Sequence, residues 1–102
     1  MTRSFTVDFL WIPFDLGGHS SGPYDGMRLT IRWQKYIDEY LRKSNDVECK
    51  VLEFNNISLR GRLVCHAFST VPLDWLSDGN LVEFVSGYKV ISIGRICASD
   101  LV

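Results

Sequence analysis

The sequence lacks the features that mark membrane-spanning and secreted chains. No apolar run approaches the roughly 20 residues that a helix needs to cross a bilayer. The N-terminal segment reaches Asp8 too early for the apolar region of a signal peptide. Only three cysteines occur, Cys49, Cys65 and Cys97, and this odd number without close spacing favours a reducing compartment over a disulfide framework. We therefore expect a cytoplasmic protein that does not associate with a membrane.

An excess of charge of one sign is also lacking, because the formal net charge is -1. Proteins that bind duplex nucleic acid usually show a basic excess, so the overall charge argues against that class. No Gly-x-x-x-x-Gly-Lys-Ser/Thr sequence occurs, which excludes a phosphate-binding loop of that type. Cysteine and histidine do not form the pairs, about two to four residues apart, that zinc sites usually contain. We expect neither a metal nor a cofactor.

Short runs in which apolar and polar residues alternate are the main pattern that the sequence contains. Alternation with period two is typical of half-buried strands. The chain has 102 residues, which is long enough for one core without metal or disulfide bonds, and 46% of them are hydrophobic. Gly87 fits the tight turn of a closing hairpin, and Gly94 indicates a bend in its second strand. The pattern predicts one domain over residues 1–102, a small six-stranded antiparallel β-barrel with strands over 5–14, 27–33, 47–54, 59–68, 81–85 and 89–96.

Three segments interrupt the predicted strands. Residues 34–43 continue an apolar stripe from Trp33 at helical spacing, which predicts one short inserted helix. Residues 15–26 contain four glycines and a proline, which predicts a long loop, and long loops in small domains are often functional. Residues 72–79 open with proline and close with glycine, the pattern of a single helical turn.

The glycine-rich loop and the closing hairpin carry a resemblance to a known family. Residues 17–28 read Gly-Gly-His-Ser-Ser-Gly-Pro-Tyr-Asp-Gly-Met-Arg, and residues 89–96 end in x-Val-Ile-x-x-Gly-x-Ile. In this order the motifs resemble the C-terminal β-barrel domain (domain 3) of elongation factor Tu and related translation GTPases, here as a free-standing domain with residues 34–43 inserted. The resemblance rests on Gly17, Gly18, Gly26 and Arg28, with His19 near the basic position. In that family the loop helps to hold aminoacyl-tRNA, so the resemblance implies an RNA contact at Gly18, His19 and Arg28.

Catalytic candidates are few. His19 has Ser20 and Ser21 beside it, with Asp15 and Asp25 in the same loop. A serine nucleophile needs a base that a third group orients, and neighbours in a loop do not establish that geometry. We expect no enzymatic activity, and a hydrolase built on His19 is the remaining enzymatic alternative.

Inward strand positions predict a core role for Trp11, Trp33, Cys49 and Cys65.

Two interpretations fit the arginines on outward strand positions. They either form one basic strip that binds phosphate or acidic side chains, or they are separate solvated charges opposite acidic residues. We favour the second, because alternating charge is normal on the exposed face of antiparallel sheets. The arginines are Arg28, Arg32, Arg60, Arg62 and Arg95, and the facing acidic residues are Asp8, Glu48 and Glu83.

The functional hypothesis is a protein-binding module, in its specific form an immunity protein or antitoxin that neutralises a cognate bacterial toxin by direct binding. Near-neutral charge, a long loop and the lack of a catalytic cluster motivate it. The alternative, which the resemblance implies, is binding to tRNA or the translation machinery. We expect one protein partner, with RNA as the other possibility, and a monomer or weak dimer. The expected contact residues are His19, Tyr24, Arg28, Arg32, Tyr36 and Trp75.

Overall fold

The computed structural model describes residues 2–18, 21–34, 46–87 and 89–97. These residues form a closed barrel in which all neighbouring strands are antiparallel, in the order β1-β4-β3-β2-β5-β6 and back to β1. The strands are β1 (Thr2–Trp11), β2 (Met27–Trp33), β3 (Asp46–Phe54), β4 (Arg60–Val71), β5 (Leu81–Ser86) and β6 (Lys89–Cys97). The predicted six-stranded antiparallel barrel is confirmed.

β2 has the predicted bounds; β3, β5 and β6 are each one residue longer than predicted, and β1 and β4 differ at both ends. β1 ends at Trp11 rather than at residue 14, because Pro13 has no N–H to pair and Phe14–Leu16 forms a 3-10 turn. β4 begins one residue later than predicted, because Leu59 has a φ of 63°, which is incompatible with a strand. The predicted helix over 34–43 lies outside the described residues, apart from Gln34.

The inner faces of the strands form one apolar core. In β2 every second side chain is buried, so Met27, Leu29 and Ile31 share a face with Trp33 as the alternation predicts. Trp33 is 1% exposed, and its ring centroid lies 5.8 Å from that of Phe5. The predicted inward positions of Trp11, Cys49 and Cys65 are also buried, so their core role is confirmed.

Connections between strands cover both ends of the barrel. The 3-10 turn Leu73–Leu76 buries Trp75 and Leu76 at the end where β4 finishes, which agrees with the single turn predicted for this segment. At the other end, the loop between β1 and β2 is held by the Trp11 Nε1–H, which donates to the Ser21 carbonyl at 3.1 Å. The Asp25 carboxylate accepts a hydrogen bond from the Val51 N–H at 2.7 Å, and this bond joins the loop to β3. Among the helical turns of the described residues, none is long and apolar enough to cross a membrane.

Candidate functional site

The structure describes four of the six residues that the sequence predicts as partner contacts. Tyr24 is 56% exposed in the loop, and Arg28 is exposed on β2 with its guanidinium carbon 4.4 Å from the centre of the Phe68 ring. Arg32 is half-buried and forms an ion pair with Glu83 on the neighbouring strand β5. His19 and Tyr36 lie outside the described residues.

The prediction that Trp75 lies at a partner surface is wrong. Its side chain is 6% exposed, and its ring centroid lies 5.2 Å from that of Trp33. The Trp75 carbonyl accepts hydrogen bonds from Trp33 Nε1 at 2.9 Å and from Asn80 Nδ2 at 3.0 Å. The turn that carries Trp75 folds into the end of the barrel, so the tryptophan belongs to the core.

The paired glycines of the loop have a local structural role. The N–H groups of Gly17 and Gly18 donate to the carbonyls of Phe14 and Pro13, at 3.0 and 3.1 Å. A Cβ at Gly18 would approach the Ile12 carbonyl oxygen to 1.9 Å, so only glycine fits this tight turn. The folding of the turn therefore accounts for Gly18 independently of any RNA contact.

A wide groove runs along the outer wall of the barrel over β5, β6, β1 and β4. The strand register places Leu10 of β1 directly beside Ile93 of β6. Ile93 is 46% exposed and Leu81 is 53% exposed, while Leu10 is half-buried, and these three side chains form the apolar floor of the groove. Gln34 borders the groove near β5, and the turn between β3 and β4 borders it near β4.

Charged side chains border the apolar floor in a row that the strand register sets. Asp8 of β1 lies between Arg95 of β6 and Arg62 of β4, and Glu53 of β3 lies opposite Arg62. The Arg62 Nε–H donates to Asp8 Oδ1 at 2.9 Å. Our interpretation of the arginines as charges opposite acidic residues is confirmed for Arg62, and likewise for Arg32 through its ion pair with Glu83.

Two arginines that line the groove, Arg60 and Arg95, make no ion pair with the described residues. Arg60 is exposed at the start of β4, directly beside Leu10. Arg95 is exposed beside Asp8, and its charge attracts the Asp8 carboxylate, although the direct hydrogen bond to that carboxylate comes from Arg62. The groove therefore combines an apolar floor with two exposed guanidinium groups, and guanidinium is a group that binds carboxylates well.

The Asp8 carboxyl makes the stability of the folded barrel depend on pH. Burial opposes its ionisation, but hydrogen bonds from Cys97 and Arg62, together with the positive charges of Arg62 and Arg95, outweigh that effect, so the pKa of Asp8 lies below its usual value. A carboxyl whose pKa is lowered by folding stabilises the folded state above the unfolded pKa, and this contribution is lost as the pH falls through the folded pKa.

We expect Asp8→Asn to lower the free energy of unfolding at neutral pH, because the variant loses the charge-assisted bond to Arg62. The difference from the wild-type protein should shrink as the pH falls below about 4, where the unfolded carboxyl becomes protonated. Denaturant unfolding of both proteins over this pH range measures the effect. A difference that stays constant with pH would show that Asp8 does not act through its charge.

A serine–histidine contact lies on the outer wall, where the local sequence pattern does not indicate one. Ser4 Oγ lies 3.0 Å from His66 Nδ1, and Glu48 lies opposite His66 in the strand register. A nucleophile needs a base that is held in place and a site that excludes water, whereas His66 and Glu48 are both exposed. We assign this contact to surface hydrogen bonding. No cluster of three or more metal-ligating side chains is present in the described part of the chain.

Comparison with known proteins gives no indication of function, so the functional proposal is based on the groove. Neither a scan against protein-family models nor a search of curated proteins finds a match for this chain. The resemblance to domain 3 of elongation factor Tu therefore stays a prediction.

Proposed function

We propose that this chain is a non-enzymatic, cytoplasmic protein-binding module whose partner is a protein that occupies the groove. The observation that supports the proposal is the exposed apolar floor of Leu10, Leu81 and Ile93 beside Arg60 and Arg95. Exposed apolar patches with a polar rim are typical of interaction sites. Arginine is enriched among the residues that contribute most to binding energy at protein interfaces. The partner that fits presents an apolar side chain to the floor and carboxylates to the two arginines.

The charges and the floor both favour a protein over RNA. Arg32 and Arg62 are already in ion pairs with carboxylates, and a phosphate would have to compete with those pairs. Proteins that bind single-stranded nucleic acid stack bases on exposed aromatic side chains. The floor is aliphatic, and of the two phenylalanines that also line the groove, Phe9 is buried and stacks on Phe54. Binding to tRNA, which the resemblance to elongation factor Tu implies, remains the alternative outcome of the experiments below.

In its specific form the proposal is an immunity protein or antitoxin that neutralises a cognate bacterial toxin by covering it. Such an inhibitor needs a complementary surface and no chemistry of its own. The floor and the row of charges lie on paired strands of a closed barrel, so the groove is ordered before binding. Preorganisation reduces the entropy that is lost when a complex forms, which suits a tight inhibitor.

We expect Ile93→Glu to weaken partner binding by about 30-fold or more, the effect of losing a residue worth about 2 kcal/mol at the centre of an interface. Glutamate would place a charge on the apolar floor, directly beside Leu10. The partner is first isolated with the wild-type protein and identified, and its affinity for each purified variant is then measured by calorimetry.

The matched control is Arg28→Glu, which also introduces a negative charge. Arg28 is a predicted contact residue, but it lies on β2 and does not line the groove. The affinity of this variant for the partner should stay within about twofold of the wild-type value, as expected for a residue away from the centre of an interface. Thermal unfolding verifies that both variants fold. If Arg28→Glu abolishes binding while Ile93→Glu does not, the loop and β2 form the contact surface and the groove does not.

A further inference from the structure

Two cysteines face each other inside the barrel. Cys49 of β3 and Cys65 of β4 are directly opposite in the strand register, and both side chains are fully buried in the core. Both side chains belong to the same cluster of buried core residues. Neither side chain contributes to the groove, so the pair is independent of the proposed binding function.

The backbone geometry at this pair is compatible with a disulfide bond. The Cys49 carbonyl accepts a hydrogen bond from the Gly26 N–H at 2.8 Å, so the polar backbone groups of Cys49 point away from β4. Cys49 and Cys65 are therefore a non-hydrogen-bonded pair, whose Cα atoms in an antiparallel sheet are about 4.5 Å apart. Disulfide-bonded cysteines have Cα atoms about 4.4–6.8 Å apart, and the side chains of non-hydrogen-bonded pairs approach each other closely.

We propose that Cys49 and Cys65 are a redox pair that joins β3 to β4 by a cross-strand disulfide when the chain folds or opens in the presence of a small disulfide such as glutathione disulfide. The closed barrel then shields the bond from reductants, just as it shields the two thiols from oxidants. Burial and the contact with Cys49 raise the pKa of the Cys65 thiol, so the reactive thiolate is scarce in the closed barrel. Exchange therefore proceeds through opened states.

The reaction consists of two thiol–disulfide exchanges. In the open chain, the thiolate of one cysteine attacks a sulfur of glutathione disulfide, the sulfur–sulfur bond breaks, and one glutathione thiolate leaves. The thiolate of the second cysteine then attacks the protein sulfur of the mixed disulfide and expels the second glutathione. The two protons lost by the cysteines are taken up by the two glutathione thiolates. Two cysteine thiols are oxidised, and one glutathione disulfide is reduced to two glutathione molecules.

The test uses the Cys97→Ser protein, which retains only the facing pair among its cysteines. The protein is unfolded, refolded in a mixture of reduced and oxidised glutathione, quenched by alkylation and mapped by mass spectrometry after proteolysis. We expect a linked peptide that contains residues 49 and 65, with a mass about 2 Da below the sum of the reduced peptides. The oxidised protein should melt at a higher temperature than the reduced one.

A single-cysteine control variant and a measurement of the reaction rate complete the test. Cys49→Ala in the same background leaves a single cysteine and should give at most a glutathione adduct at Cys65. The folded, reduced protein should react with glutathione disulfide at least about tenfold more slowly than the unfolded chain, because the thiols are buried. If the Cys97→Ser variant does not fold, peptide mapping of the wild-type protein distinguishes a 49–65 link from links to Cys97. Alkylated cysteines at both positions after refolding, or glutathione adducts without a link, would overturn the proposal.

Discussion

Replacement of Trp33 by alanine should lower the free energy of unfolding by about 3–5 kcal/mol, the usual loss for a buried tryptophan. Trp33 is among the largest fully buried side chains, and it packs against Phe5 on β1 and against Trp75 in the turn that covers one end of the barrel. Alanine would leave a cavity between these elements and would leave the Trp75 carbonyl without its Trp33 partner. A domain of this size is stable by only about 5–15 kcal/mol, so the loss is a large share of the total.

Urea unfolding monitored by circular dichroism measures this change in the free energy of unfolding. The control is Leu73→Ala in the turn that carries Trp75, where the leucine is exposed and the expected change lies within about 0.5 kcal/mol. A loss below about 1 kcal/mol for Trp33→Ala would show that Trp33 is not the packing centre that joins β1, β2 and the turn.

Gly61→Ala should destabilise the barrel by about 1–3 kcal/mol through overpacking. A Cβ at Gly61 would lie 2.2 Å from the Glu53 carbonyl oxygen and 2.9 Å from the Phe9 ring. The Phe9 ring cannot move freely, because it stacks on Phe54 with the centroids 5.8 Å apart. The added methyl group must therefore displace β3 or the stacked rings.

The matched control for this prediction is Gly22→Ala in the glycine-rich loop. A Cβ there would meet only the edge of the Phe54 ring at 3.7 Å, an ordinary van der Waals contact. We expect its effect to stay within about 0.5 kcal/mol in the same unfolding experiment. If both variants lose the same free energy of unfolding, the loss at Gly61 comes from removing a glycine and not from the close approach of β3.

The barrel could be predicted from the sequence because alternation is a local signal. β2 shows this most clearly, since its four apolar residues are all buried and its outward residues are not. The irregular points were harder to predict. Leu59 adopts its left-handed conformation after a turn in which the Asn55 side chain accepts hydrogen bonds from the N–H groups of Ile57 and Ser58. Nothing in the pattern around Leu59 separates it from the strand that follows.

The groove could not be predicted, because it depends on which strands are neighbours. Leu10 and Ile93 are more than eighty positions apart in the sequence, and only the pairing of β1 with β6 brings them together. Apolar residues at outward positions were the available signal, but a single exposed leucine is common on protein surfaces. Trp75 shows the same limit, since the local pattern predicts its turn but not that the turn folds into the core.

The measurement that tests the proposed function most directly is affinity purification of the tagged protein from a lysate of its native cells at low and at high salt, with bound protein and bound RNA both identified. Our account predicts one protein in a stoichiometric amount that remains bound at high salt, because the floor of the groove is apolar and hydrophobic contacts survive screening. Recovery of tRNA that is lost as salt rises would contradict it, because such salt dependence is typical of phosphate contacts. That result would support the translation alternative instead.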